Sequence, residues 1–548
     1  MSHVYLSLAG DWVRMVNMLP NVKIISLSGC GLTSEISTLS HSNLTQLDIL
    51  DLSYNPFYCL LQDNWFWDVT SIKELYLSYC EWLLGPIPNA LGNMSSLEVL
   101  HLDSSDLSGI MPQATKNLCN LQQLDFSWNY INGDMMAIIP QCSCNKLRVI
   151  ALRGANIIGQ LPLRIGNLTN LKYLDISRNM LVGIGNMRNL SYLDISTNML
   201  VGTLPSGIGN MTCLTRLDIS QTMLVGSIPF EIGNLKRISY LDLSQNMLVG
   251  SIPFGIGNMK GLSSLNLSQN MLVGSIPFEI RNMSLSYLDL SQNMLVGSLP
   301  FGIGNMRSLS HLDLSRNMLL GDVPDGIGSL SNLTYLSLGL NNFSGVLSRD
   351  FFASLVQLEY LSLSQNSLTL DFSEDWVPPF RLDEGHFGSC DIGPHFPAWL
   401  KWQTTIRELD ISNNGINDAL PHWFWIVFAN ASSLDLSRNQ LTGALPEKLE
   451  LPFIDVIDLY GNSLLGQLPA NLTAPHLRNL LLHNNYFTGT IPAYVCYVWS
   501  EINLSNNQLT GDSPQCTQNT SSLLMIDLKN NHLSGEFPRF FQNAPDFS

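Results

Sequence analysis

Charge is scarce in this chain: Asp, Glu, Lys and Arg together make up 13% of 548 residues. The basic side is the poorer one, with 27 Lys and Arg against 44 Asp and Glu, and the formal net charge is -17. Phosphate backbones are bound by clustered Lys and Arg, so nucleic acid is excluded as a general partner and basic partners are mildly favoured. A long apolar run is also missing. The richest local stretch, "WFWIVFA" (Trp423–Ala429), has seven residues, and a membrane span needs about 20. The opening "MSHVYLSLAGDWVRMVNMLP" has no basic segment followed by an apolar one, so no signal peptide is expected. Ten cysteines in 548 residues do not make a disulfide scaffold. There is no G-x-x-x-x-G-K-[ST], no kinase H-R-D or D-F-G set, no H-E-x-x-H and no paired C-x-x-C. With no such motif, no catalytic residue, no metal and no cofactor is expected, and the chain is not expected to be an enzyme. Hydrophobic residues at 45% argue equally against a disordered acidic tail.

What is present is a period. An apolar-x-apolar step recurs at Leu6, Ile25, Leu50 and onward to Ile502 and Ile526, giving 23 anchors, mostly 22 to 26 residues apart. Repeats of 20–29 residues written L-x-x-L-x-L-x-x-N are the leucine-rich-repeat signature, and they cannot bury a core singly. In "LKYLDISRNMLVG" (Leu171–Gly183), Leu174 and Ile176 alternate with polar residues, which predicts a short strand with one face buried. Stacked units then form a parallel sheet with Tyr173, Asp175, Ser177 and Arg178 on its open face. Asn follows the strand in 16 of the 23 units; a buried Asn there can satisfy backbone groups of the turn and of the next coil. Gly250 is read as a tight turn and Pro253 as the residue fixing the return limb, with Ile252 and Ile256 pointing inward. "GIGNMKG" (Gly255–Gly261) is not a dinucleotide loop: its third glycine is displaced, and the phrase recurs at every coil. The expected fold is an α/β-type repeat solenoid covering 1–548. Its parallel β-sheet lies on the concave face, with irregular or 3-10 segments and short second strands on the convex face. Units in 1–170 and 346–548 have diverged; those in 171–345 are nearly identical.

"LVGSIPFEIGNL" (Leu224–Leu235) and "LTGALPEKL" (Leu441–Leu449) resemble the plant-specific leucine-rich repeats of receptor kinases and receptor-like proteins. "DWVRMVNMLPNVKIISLSGCGL" (Asp11–Leu32), "NWFWDVTSIKELYLS" (Asn64–Ser78), "DWVPPFRL" (Asp375–Leu382) and "SCDIGPHFPAWLKWQ" (Ser389–Gln403) are similar to the receptor-like proteins that detect elicitors and other extracellular defence cues. The resemblance implies a non-catalytic ectodomain at the plasma-membrane surface or in the apoplast. Its partners would be a peptide, protein or glycan ligand and a co-receptor kinase. Members of that family carry a capped N-terminus, a C-terminal cap and a membrane helix. None is seen in this sequence, nor is a kinase domain, so the chain is expected to be an ectodomain truncated at both ends. A soluble inhibitor of a cell-wall enzyme and a non-functional receptor fragment are the alternatives.

Ligand-binding candidates lie on the open face: Tyr173, Asp175, Arg178, Tyr192, Asp194, Arg216, Asp218, Tyr240, Asp242, Tyr287, Asp289, His311, Asp313 and Arg316. A tyrosine row beside an acidic row suits a peptide or protein strip; the alternative is repeat consensus on a solvated sheet. More varied open-face residues include Trp128, Arg148 and Arg153 early, and Glu384, His386, Arg407, Glu408 and Arg438 late. Cys119 with Cys142 (or Cys144) and Cys496 with Cys516 are one coil apart and resemble family disulfide pairs. Thirteen N-x-[ST] sequons occur. Those at Asn43, Asn93, Asn167, Asn210, Asn282, Asn332, Asn342, Asn430, Asn471 and Asn519 are candidates for glycosylation. Asn266 and Asn503 fall on the presumed binding strip and are the least suited.

Overall fold

The computed structural model describes residues 2–7, 11–33, 42–142, 146–161, 165–166, 168–182, 189–498, 500–512 and 524–535. They fall into two compact units, Met1–Val273 and Gly274–Ser548. Every anchor from Ile25 to Ile526 is the middle residue of a three-residue strand. Leu6 is the exception. It lies in irregular backbone and donates its N–H to Cys30 O at 2.7 Å.

Within each unit the strands pair parallel and in register. In the first, Leu217 of Arg216–Asp218 lies opposite Leu241 of Tyr240–Asp242, which lies opposite Leu265 of Ser264–Asn266. All three leucines are fully buried. In the second, Leu312, Leu336 and Leu361 align in the same way. The opposite side carries short second strands, also parallel: Met223–Ser227 beside Met247–Gly250 in the first unit, and Met318–Asp322 beside Asn342–Ser348 in the second. Leu248 enters the core from such a strand while Met247 and Val249 face out. Gly250 then takes φ +78, where only glycine is unstrained. Pro253, with φ -69, opens the 3-10 turn Phe254–Asn258, and Ile252 and Ile256 are buried as expected.

The asparagine column ties coils together, with one change of direction from the sequence reading. Asn246 Nδ2 donates to Leu243 O and Ser244 O of its own turn and to Ile219 O of the preceding coil, at 2.9–3.2 Å. Its Oδ1 accepts Leu224 N–H, also from the preceding coil, at 3.0 Å. The tie runs backward because the side chain enters the core just after the strand, beneath the turn already laid down. Where Asn is replaced, part of the tie survives. Cys80 Sγ reaches Leu52 O, Ser105 Oγ reaches Leu77 O, and Cys390 Sγ reaches Leu363 O.

The residue before each position of this column, whether Asn or its replacement, adopts the left-handed conformation. Tyr54, Trp128, Arg178, Gln221, Gln245 and Gln269 have φ between 53 and 58°, and Gly154 and Gly461 occupy the same place. The sequence offers no glycine signal for this column, because ordinary side chains fill most of it.

Candidate functional site

The open face is built from the first and third residues of each strand. Parallel register places like residues about 4.8 Å apart, so rings at the first position meet their neighbours. In the first unit Tyr173 and Tyr192 stack with centroids 4.1 Å apart. Arg216 interrupts the row by laying its guanidinium 3.5 Å from the Tyr240 ring centre, while Arg216 Nη2 lies 3.2 Å from Asp218 Oδ2. In the second unit Tyr287, His311, Tyr335 and Tyr360 form an unbroken stack, with centroids 4.0 to 4.2 Å apart and planes within 16°. Each stacked pair contributes about 0.5–1.5 kcal/mol beyond area burial. Because ring faces are spent on each other, the row offers hydroxyl and edge atoms to a partner. Burial raises the Tyr240 phenol to about 12, and Asp242 beside it acts in the same sense. Desolvation lowers His311, opposed by Asp289, which favours a neutral imidazole.

The acidic row takes its expected strand position but is more deeply covered than an open strip. Asp175, Asp194, Asp218 and Asp242 are only 3 to 8% exposed; they do not form a solvated strip. Ser177 and Ser196 each donate both backbone N–H and Oγ to the aspartate two residues earlier. The neighbouring strand and the ring row cover the rest, so this column mainly closes the strand end. Desolvation, followed by the adjacent Asp194, raises Asp218 to about 6, and desolvation likewise raises Asp175 and Asp289. Asp289 and Asp313 are half-buried, and Arg178 and Arg316 are exposed.

Side chains separated in sequence are brought together twice. Trp128 is half-exposed, with the guanidinium carbons of Arg153 and Arg178 at 5.5 and 5.7 Å from its ring centre. Glu384, His386 and Glu408 converge so that one donor atom from each lies within 4.8 Å of the others. "EGH" and, 24 residues on, "ELD" occupy matched strand positions, and the parallel register sets them side by side. Trp399 and Trp425 are buried packing residues, in keeping with their place outside the strands.

Cys119 and Cys142 are disulfide-bonded with Cα atoms 5.5 Å apart. Cys496 is disulfide-bonded, while Cys144 and Cys516 lie outside the described residues. The candidate sequons Asn43, Asn93, Asn210, Asn282, Asn332, Asn342, Asn430 and Asn471 are all exposed, whereas Asn266 is half-buried and Asn503 buried. Asn167 and Asn519 lie outside the described residues. Among the described residues no helix is long and apolar enough to cross a membrane.

This repeating strand, asparagine tie and 3-10 return coincide with a recognised family. The description "Leucine-rich repeat region" matches residues 226–419, and "Leucine Rich Repeat" matches 189–211, 476–497 and 522–544. The chain carries leucine-rich repeats in these segments and is similar to plant receptor-like proteins. It is 32% identical to receptor-like protein EIX2 of Solanum lycopersicum over 187 residues, 33% of this chain and 18% of that protein. The chain therefore spans just under a fifth of that relative's length. It also resembles the PEPR1–AtPEP1 structure at TM-score 0.76 and 26% identity, over 95% of this chain and 77% of that one. A third likeness is the Arabidopsis receptor kinase HAESA in complex with the peptide hormone IDA and the co-receptor SERK1. Its TM-score is 0.71 at 27% identity, covering 96% of this chain and 85% of that one.

Proposed function

We propose that this leucine-rich-repeat protein is a non-catalytic recognition module that binds a peptide or protein ligand on the open face of its parallel sheet. It would act in plant cell-surface or defence signalling, outside the cell and together with a co-receptor kinase. One observation carries the reading most directly. The receptor kinase HAESA in complex with the peptide hormone IDA and the peptide hormone receptor RGFR1 align over 96 and 94% of this chain, and the open face of the second unit here presents a row of half-buried rings from Tyr287 to Tyr360, with Arg316 exposed just beyond one of its strands. Tyr and Arg dominate interface hot spots, and rigid stacked rings lose little entropy on binding.

The reading is tested by secreting the chain from plant cells and capturing peptides from extracellular fluid for mass spectrometry. The capture is repeated with Tyr335→Ala/Tyr360→Ala on the strand face and Phe254→Ser/Phe301→Ser on the opposite side. A peptide lost with the first pair and kept with the second supports the proposal. Capture that is insensitive to the first pair, or that fails with the second alone, contradicts it.

A further inference from the structure

We propose that Glu384, His386 and Glu408 form a binding site for a divalent transition-metal ion, with zinc as the reference member, on the open face of the second unit. The strands Glu384–His386 and Glu408–Asp410 pair parallel with Glu384 directly opposite Glu408. His386, two residues beyond Glu384, projects from the same face. His386 Nε2 lies 3.6 Å from Glu384 Oε2, and all three donor atoms fall within 4.8 Å of one another.

Three further observations separate this grouping from a chance acidic patch. First, in-register carboxylates repel, yet among the described ion pairs neither Glu384 nor Glu408 has a Lys or Arg partner. Second, the ring ladder breaks here. Its members are coplanar within 16° up to Tyr360, but the next place, opposite Tyr360, holds Glu384 instead of a ring, and His386, opposite Ser362, turns its ring 47° from that of Tyr360 with Nε2 3.6 Å from the Glu384 carboxylate. Third, neighbouring strands carry Tyr-x-Ser and Ser-x-Asp at these positions, and even the core leucine gives way to Gly385.

An imidazole nitrogen with two carboxylate oxygens suits zinc and its neighbours, whereas calcium and magnesium prefer oxygen alone. Bonds of about 2.0–2.2 Å require the three donors to close in modestly. The side chains have the freedom to do so, since Glu384 is 42% and His386 26% exposed. Three protein ligands leave a fourth position open to solvent, where an anionic group of a bound partner could coordinate. The site does not depend on the ligand proposed above.

The test is calorimetric titration of the EDTA-stripped full chain with zinc chloride, then with calcium and magnesium chloride. The same titrations are run on H386Q and E384Q/E408Q. One zinc equivalent is expected, weakened at least about tenfold in each variant, with no saturable calcium or magnesium site. Zinc should also raise the melting midpoint of the wild type and not of either variant, and in EDTA E384Q/E408Q should melt no lower than wild type, because the paired carboxylates it removes repel. Equal zinc binding by wild type and both variants, no saturable zinc binding by wild type, or equal calcium binding would overturn the proposal.

Discussion

Removing the tie at Asn246 is the sharpest perturbation of the scaffold. In Asn246→Ala, the buried Leu224 N–H loses the acceptor it meets at 3.0 Å, and Ile219 O loses a donor at 2.9 Å. Both groups lie in the preceding coil, where water does not reach them: Leu224 and Ile219 are fully buried. Ile219 O keeps the Thr222 hydroxyl at 3.4 Å, so Leu224 N–H is the group left without a partner, and the coil should lose about 1–3 kcal/mol. A repeat array need not unfold in one step, so a single midpoint would dilute the effect. Hydrogen exchange of the Leu224 amide reads it locally, and protection there should fall by about one to two orders of magnitude. Asn246→Ser should restore a donor to Ile219 O, as Ser105 reaches Leu77 O from the same column, but leave the Leu224 amide nearly as unprotected as in Ala, because Ser105 Oγ accepts the N–H of Cys80, the place of Thr222 here. If Asn246→Ala leaves Leu224 protected, the tie is not what holds consecutive coils together.

Other expectations follow from the same geometry. Asp218, raised to about 6 by burial, carries a penalty of up to about 3 kcal/mol when ionised in the folded state. A raised carboxyl destabilises above its folded pKa and is relieved as pH falls from 6 toward 3.8. Asp218→Asn should therefore be more stable than wild type at pH 7.5, by a margin that shrinks by pH 4.5 in urea titrations; a growing margin would reverse the sign. Asn266 already fills this column and keeps the bond from Ser268, so the variant fits. Gln245, at φ 53, should accept glycine with a gain of about 0.5–1 kcal/mol and valine only with a loss, read by thermal melting. Cys119→Ser opens a link with a sequence separation of 23 and should cost about 3 kcal/mol, seen as faster proteolysis near Cys142.

The repeat was legible because its signals are redundant: every anchor from Ile25 onward became the centre of a strand, and the asparagine column became buried. The direction of the tie was not, since one side chain beside two coils can bond either way until backbone positions are fixed. The left-handed column escaped because Gln, Arg, Trp and Tyr give no conformational signal, unlike Gly250. The aspartates looked exposed because strand alternation assigns them to the outer face. Alternation says which way a side chain points, not whether its neighbours on adjacent strands cover it. Trp128 with Arg178, and Glu384 with Glu408, required cross-strand register that only stacking the coils supplies.

The central claim is that the strand face recognises and the opposite side only supports. Hydroxyl-radical footprinting of the second unit, with and without a captured peptide, measures this directly. Protection is predicted at Tyr287, Tyr335 and Tyr360, with Met294, Phe301 and Met318 unchanged, the latter three being 41, 85 and 46% exposed on the opposite side. Protection confined to Met294, Phe301 and Met318 would contradict it.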